Sequence, residues 1–445
     1  MFIFNNLVQN VLLPLGDLVS RERVMHYYQF YSQAQWWDRE RLREIQNRNL
    51  IDTIQTAYLE VSFYKDLYDH HKINVDLIKT MDDLPKLPFI TKEMLRNAYP
   101  HACTRYTGWP SHEFCTSGSS GRPFAVRVDN LTMSRARALM LLRANFSGWE
   151  IGDPMLQTGM TLERGVVKYV KDMLLRIEYV SAFDLSNSVL DKHIDLIDKK
   201  NIDYIMGYPG SVYYLAQRAK EIGYERRMKG IVTWGDNLYQ HFRSLIESQF
   251  GCRVTDTYGC GEGIQVAAQC EYGSYHIFMP HVAFEIVDDH GNPIPDGELG
   301  NILLTRLDPG SMPFIRYQIG DIGRKSSKVS CSCGRGLEMM SSIEGRDTDV
   351  IETPNGNRLI VHFFTGIFEY YQSIDTFKVI QEERDAIIIK IVPRSNFEKE
   401  HMERIKQEIW AKGDPNLKIS IELVDNIPFE ASNKRRFVVS YLYKN

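Results

Sequence analysis

Between about residues 110 and 345, short apolar runs cut by Gly, Pro and Asp alternate with stretches of helical period, such as 131–146 and 210–222. Strands that alternate with helices bury both most simply as a largely parallel sheet covered by helices, so the fold class is α/β. The stretch DGELGNILLTRL and its flanks read instead as hairpins, which predicts a small β-rich subregion closing this part of the chain. Upstream, residues 20–72 mix charged and aromatic positions at helical period and predict two or three amphipathic helices, with their Tyr, Phe and Trp as core and interface. The cluster of Gly, Asp, Pro and Asn in GRDTDVIETPNGNRL marks a domain boundary near 345. Beyond it, TFKVIQEERDAIIIKIVPR carries two strands, FEKEHMERIKQEIWAK a charged helix and LKISIELVD a further strand. The expected domains are therefore a helical segment at 1–72 packed on a large domain at 73–345, and a small α/β unit at 346–445.

Charge and cysteine content exclude several classes. With 53 Lys+Arg against 57 Asp+Glu and no long basic run, the chain lacks the concentrated basic face that nucleic acid requires. Seven cysteines are too few, and odd in number, for a disulfide-built secreted protein. No uninterrupted apolar stretch of about 18 residues is present to span a bilayer. The apolar start has no basic leader and no small-residue cleavage site, so it does not read as a signal peptide, and a cytoplasmic protein is expected. Leu7, Val8, Val11, Leu12, Leu15, Leu18 and Val19 fall on one helical stripe with Pro14 as a kink. That stripe fits either packing on its own domain or peripheral contact with a membrane surface or partner.

Two sets of residues carry chemistry. Thr116-Ser117-Gly118-Ser119-Ser120-Gly121-Arg122-Pro123 follows the strand-like HEFC. Its glycines reach φ values closed to other residues, and its hydroxyls and backbone amides suit phosphate oxygens, although GxxxxGK[ST] is absent. Cys270 and His276 stand as C-x5-H, and Cys331 and Cys333 as C-x-C followed by Gly334. Three thiolates and an imidazole form the donor set of a closed structural zinc site; scattered buried thiols are the competing reading. Cys103, Cys115, Cys252 and Cys260 lack partners at such spacing and read as ordinary cysteines.

The Ser/Gly turn is followed in order by Tyr258-Gly259-Cys260-Gly261-Glu262, Arg316-Tyr317-Gln318-Ile319-Gly320-Asp321, Gly345-Arg346 and Asn433-Lys434. With this series the chain, from about residue 60 to 440, resembles the adenylate-forming superfamily. Within it, the resemblance is to the phenylacetate-CoA ligase family, including a branch tied to capsular polysaccharide biosynthesis. The resemblance implies a large AMP-binding domain followed by a mobile C-terminal domain, and an ATP-dependent, AMP-forming acid ligase. Thr116, Ser117, Gly118, Ser119, Ser120 and Gly121 would close over the β- and γ-phosphates of ATP, Gly235-Asp236 would line the nucleotide, and Tyr258 would stack on adenine with Gly259 also in the nucleotide site. Glu262 would hold Mg2+, Asp321 and Arg346 the ribose, and Lys434 would approach the α-phosphate and the carboxylate, so that Lys434, Glu262 and Arg316 are the catalytic residues the resemblance implies. Relatives also carry a zinc site on the C-x5-H and C-x-C pattern, which assigns structural Zn2+ to Cys270, His276, Cys331 and Cys333.

The same resemblance implies a small carboxylic acid as substrate, CoA as acceptor and, by analogy, a homodimer. Gly261 stands where the family has Ser or Thr, and Asn433 where glycine is common. An amine or hydroxyl of a sugar or metabolite is the alternative acceptor, and a catalytically weak, zinc-stabilised scaffold the alternative class. Tyr208, Pro209, Tyr213 and Met160 fit either the acid pocket or the core.

Overall fold

Helices form where the apolar period is 3.6 residues, and the first of them departs from a simple stripe. In the computed structural model, α1 (Phe2–Leu7) and α2 (Leu13–Ser20) are joined by a π-helical turn, Val8–Leu12. Pro14 has no N–H to donate four residues back, and the wider turn before it takes up the irregularity. The stripe is thereby split: Val8 is buried and Leu12 and Leu13 pack on the core, whereas Leu7, Val11, Leu15, Leu18 and Val19 face solvent. The structure describes residues 2–116, 124–159, 165–182, 185–346, 351–355, 358–359, 361–368, 371, 373–427 and 437–442. It divides into two units, residues 1–319 with 324–342, and residues 320–323 with 343–445.

In the first unit, α3 (Val24–Ala34), α4 (Arg39–Glu60) and α5 (Ser62–His70) follow, burying Tyr28, Tyr31, Tyr64 and Tyr68. A short strand, β1 (Ile90–Thr91), leads into α6 (Lys92–Ala98), which Thr91 caps by accepting from the Met94 amide. β2 (Ser111–Thr116) and β3 (Phe124–Asp129) form a separate antiparallel hairpin in which Thr116 faces Phe124. Asp129 then caps α7 (Asn130–Asn145) through the amides of Leu131 and Thr132.

Strands and helices now alternate: β4 (Met155–Gly159), α8 (Val166–Leu175), β5 (Ile177–Ser181), α9 (Asn187–Lys199), β6 (Tyr204–Gly207), α10 (Pro209–Glu221), β7 (Gly230–Thr233), α11 (Gln240–Phe250) and β8 (Val254–Gly259). The strands pair in parallel in the order β5-β4-β6-β7-β8. Every residue of β6 and β7 is buried, as expected of strands covered on both faces. Beyond β8 come β9 (Gln265–Gln269), β10 (Tyr275–Ile277), β11 (Val282–Val287), β12 (Gly300–Arg306), β13 (Tyr317–Lys325) and β14 (Met339–Arg346). They extend the sheet in the order β8-β9-β10-β14-β13-β12-β11, and β1 lies parallel to β13. The pairs β8/β9, β9/β10, β10/β14 and β11/β12 are antiparallel, which is the β-rich subregion expected from DGELGNILLTRL.

In the second unit, β15 (Ile351–Glu352) pairs with β16 (Arg358–Leu359), and α12 (Val361–Phe368) follows. β17 (Ile374–Glu383) and β18 (Ala386–Pro393) form a hairpin, then come α13 (Lys399–Lys412), β19 (Lys418–Leu423) and β20 (Val438–Ser440), giving a sheet β19-β18-β17-β20. Buried Val379, Ile389, Ile391, Ile405 and Ile409 make its core. Buried Gln381 accepts from the amide of Glu352 at 3.1 Å and donates to its carbonyl at 2.6 Å, tying β15 to that sheet.

His281, just before β11, is 1% exposed, and burial pushes its imidazole down to about 3. It is neutral in the fold but protonates near 6.5 when unfolded, so its contribution to stability is complete above pH 6.5 and is lost as pH falls towards 3. Urea unfolding at pH 7 and pH 5 should show about 2 kcal/mol of loss attributable to this residue, and His281→Leu should lose that much less on the same change of pH.

Candidate active site

The carboxyl ends of the parallel strands present a consistent set of residues: Gly159 at the end of β4, Tyr208-Pro209 after β6, Trp234-Gly235-Asp236 after β7 and Tyr258-Gly259 at the end of β8. Open α/β sheets bind ligands at these ends. Backbone and rings approach closely here because Cβ atoms are missing. A Cβ on Gly235, whose φ is +78°, would sit 2.8 Å from the Tyr208 ring, and one on Gly259 would sit 2.8 Å from the Ile264 carbonyl oxygen. The turn after β8 is closed by the Cys260 amide donating to Ile264 O at 3.0 Å and the Gly263 amide to Cys260 O at 3.1 Å. Tyr258 is buried at the start of this turn and Glu262 projects from it.

Glu262 is 3% exposed, yet it is not alone. Lys92 Nζ lies 3.0 Å from Oε1, and the Tyr317 hydroxyl donates to the same oxygen at 2.9 Å. Burial opposes ionisation, but the Lys92 charge and the two hydrogen bonds outweigh it and hold the carboxyl below its ordinary range. The Lys92 ammonium also stands 5.6 Å from the ring centre of Phe124, the residue that resumes the chain after the Ser/Gly turn. Lys92 thus brings the base of that turn and the Glu262 carboxylate to one place. Burial, followed by the Glu262 charge, pushes the neighbouring Cys260 thiol well up, which keeps it protonated and unreactive.

Deeper between β7 and β8, Thr233 Oγ1 donates to Asp256 Oδ1 at 2.6 Å and the Tyr275 hydroxyl donates to Oδ2. Burial pushes this carboxyl up. Tyr213, one of the acid-pocket residues named from the sequence, stacks on Phe242 with ring centres 4.2 Å apart, inside the packing of α10 on α11. Met160 lies outside the described residues.

The C-x5-H and C-x-C pairs converge. One ligand atom from each of Cys270, His276, Cys331 and Cys333 lies within 4.8 Å of all the others. Cys270 Sγ and Cys331 Sγ are 3.7 Å apart, far beyond a disulfide and close to the edge of about 3.8 Å set by Zn–S bonds of about 2.3 Å in a tetrahedron. Cys333 Sγ is 3.2 Å from His276 Nε2. The Tyr272 amide points at Cys270 Sγ at 3.4 Å and the Arg335 amide at Cys333 Sγ at 3.5 Å. Burial, then the Arg335 cation, push His276 down to about 4, leaving a neutral imidazole able to ligate. Gly334, at φ +81°, makes the tight turn of the C-x-C loop, with its amide donating to Cys331 O at 3.1 Å.

Comparison with known proteins accords with this geometry. The AMP-binding enzyme family matches residues 179–308, and the CapK C-terminal domain matches residues 351–441. Phenylacetate-coenzyme A ligase of Thermus thermophilus is 26% identical over 339 residues, covering 70% of this chain and 72% of that protein. The enzyme of the same name from Escherichia coli K12 is 27% identical over 337 residues, with the same coverage. These matches support a phenylacetate-CoA ligase-like protein of the adenylate-forming superfamily. It is accordingly an AMP-forming ligase. Its fold also matches 2-hydroxyisobutyryl-CoA ligase in the postadenylation state, with a TM-score of 0.73 and 17% identity over 92% of this chain and 91% of that one.

The remaining residues named from the ligase's sequence are placed as follows. Thr116 is the last residue of β2, Asp321 lies on β13 four residues beyond Tyr317, and Arg346 ends β14. The side chains of Thr116 and Arg346, and Ser117, Gly118, Ser119, Ser120, Gly121 and Lys434 as a whole, lie outside the described residues. Arg316 does not join Glu262. Its guanidinium is buried, 3.0 Å from Glu285 Oε1, with Nη1 and Nη2 donating to the carbonyls of Leu87 and Gly291 at 2.5 and 2.6 Å. Every nitrogen is engaged in holding β13 to its neighbours, so the reading of Arg316 as catalytic gives way to a positioning role. Lys92 and Tyr317 are the residues that sequence reasoning missed. Lys92 carried no motif, and Tyr317 sat inside a segment valued for its flanking charges.

Arg316→Leu should cost about 3–5 kcal/mol in urea unfolding, because Glu285 is left buried without its partner. The double variant Arg316→Leu/Glu285→Leu should recover most of that loss. A stable Arg316→Leu protein with activity abolished would return the residue to catalysis.

Proposed function

We propose that the ligase activates a carboxylic acid with ATP, forming an acyl-adenylate and pyrophosphate, and passes the acyl group to CoA. The observation that carries this reading is the Glu262–Lys92–Phe124 contact, which joins an ionised carboxylate to the base of the hydroxyl-rich turn at the carboxyl end of the sheet. Attack of a carboxylate on the α-phosphorus brings an anion to a polyanion, so positioned cations and exclusion of water supply the catalysis. Thr116 to Gly121 hold the β- and γ-phosphates with hydroxyls and amides, Gly235-Asp236 and Tyr258-Gly259 frame the base, and Asp321 with Arg346 takes the ribose. Glu262, kept ionised by its two partners, would hold Mg2+, which supplies charge neutralisation at the phosphates. Lys434, on the C-terminal unit, approaches the reacting carboxylate and the α-phosphate during adenylation.

Cys270, His276, Cys331 and Cys333 would hold Zn2+ as a structural ion. Four protein ligands leave no position for activated water, so the metal supplies folding energy rather than chemistry. The alternative acceptor is an amine or hydroxyl of a sugar or related metabolite.

Pyrophosphate exchange that requires a carboxylic acid is the primary test. Lys434→Ala and Glu262→Gln should each lower it at least a hundredfold with the thermal transition retained, and absence of exchange across a broad acid panel would overturn the reading. Metal analysis of the purified protein should give one zinc per chain. Cys331→Ser should lose the ion and lower Tm, by several degrees at least, and a metal-free parent protein of unchanged Tm would refute the zinc assignment.

A further inference from the structure

Four arginines are buried among the described residues, and three have carboxylate partners: Arg316 with Glu285 at 3.0 Å, Arg335 with Glu271 at 2.9 Å and Arg306 with Asp308 at 3.4 Å. Arg143, in the last turn of α7 and 6% exposed, is the exception. Its guanidinium carbon stands 4.8 Å from the centre of the Trp234 ring, Nη1 donates to Gln265 Oε1 at 3.1 Å, and buried Nε has no hydrogen-bond partner. No carboxylate of the described residues lies within ion-pair distance. Asp256 acts on it only through space, and both of that residue's oxygens are taken by Thr233 and Tyr275. Burial pushes Arg143 down to about 10, which still leaves it a cation at neutral pH.

The position of this charge gives it meaning. Trp234 follows β7 with its ring centre 6.1 Å from that of Tyr208, a residue whose place in the sequence fits either the acid pocket or the core, and Gln265 opens β9, so Arg143 sits at the strand ends beside that residue. A buried guanidinium without a counter-ion is strongly unfavourable, and a fork with a free N–H beside an aromatic wall suits a carboxylate on a short carbon chain. We propose that Arg143 receives a second carboxylate of the substrate, so that the acid activated is a dicarboxylic acid, one end reacting and the other held by Arg143. This rests on the acid-ligase reading and deepens it.

Binding of matched pairs, such as pentanoate with glutarate and hexanoate with adipate, to the purified full-length protein tests the proposal by calorimetry and quenching of tryptophan fluorescence. At least one dicarboxylate should bind tenfold tighter than its monocarboxylate, and Arg143→Met should erase that ratio without lowering the Tm of the ligand-free protein, since an unpaired buried charge is removed. Should the Met variant not fold, Arg143→Lys carries the comparison: it keeps the charge without the fork and should cut the ratio at least threefold. A wild-type protein with no dicarboxylate preference, or a ratio unchanged in the variants, overturns the proposal. So does equal weakening of both acids, which would assign Arg143 to the reacting carboxylate, or a loss confined to MgATP affinity, which would assign it to phosphate. A dicarboxylate preference lost in Arg143→Met, with no pyrophosphate exchange for any acid, would retain the subsite and sink the ligase reading instead.

Discussion

A buried carboxylate stays charged only when something compensates it, and at Glu262 the compensation comes from two other segments of the chain. Lys92 arrives at the first turn of α6 and Tyr317 at the start of β13, both on Oε1, at 3.0 and 2.9 Å. Without them, burial would favour the neutral acid, a poor partner for a cation. Since β1 lies parallel to β13 with Ile90 opposite Tyr317, the strand pairing that delivers Tyr317 also delivers Lys92 two residues on. One short strand therefore fixes both partners of the acid and, through Phe124, the foot of the Ser/Gly turn.

That arrangement explains what could be read beforehand. The alternation of helices and strands, the helices at Asn130–Asn145 and Pro209–Glu221 and the hairpin, helix and strand of the second unit were visible, because period and turn residues are local signals. The Cys/His set was visible because its donor types are rare and closely spaced. Lys92 was not, since it touches Glu262 from 170 positions away and looks locally like any basic residue opening a helix after a Thr cap. Arg316 was misread for the complementary reason: its motif marks a strand start, while its guanidinium turns away into the core, from a backbone at φ +48°. The N-terminal stripe failed differently, because a π turn changes the period on which an amphipathic reading depends.

The Cys/His cluster shows how a small local feature can order distant chain. Arg335, next to the C-x-C pair, donates to Glu271 and to Gln35 Oε1 at 2.9 and 2.8 Å and lies over the Phe146 and Trp36 rings. A Cβ on Gly336 would lie 1.9 Å from the Trp37 carbonyl oxygen, so the loop passes flush against the end of the N-terminal helices. A metal cross-linking the β9–β10 turn to this loop would restrain the segments that carry Gln265 at one end and Trp36 at the other. A metal there would have no substrate to meet and still determine how firmly the crevice wall is held.

Buried cations in this fold then fall into two kinds with different physical logic. Arg316, Arg335 and Arg306 face carboxylates: Arg316 and Arg335 each join distant segments, and in the Arg316–Glu285 pair separation would strand a charge on both sides, whereas Arg306 faces Asp308 two residues on. Such pairs add little to net stability relative to apolar residues, but removing one partner is costly, so they fix register. Arg143 has an amide oxygen and an aromatic face, which orient it without neutralising it. An oriented charge with no carboxylate partner among the described residues is an expense to the free protein that a bound anion would relieve, and it sits beside the carboxyl ends of β7 and β8. The same strand ends thus hold a carboxylate kept ionised by its neighbours and a guanidinium with no carboxylate partner among the described residues, the two complementary charges that a cleft for a metal–nucleotide and an anionic acid would require.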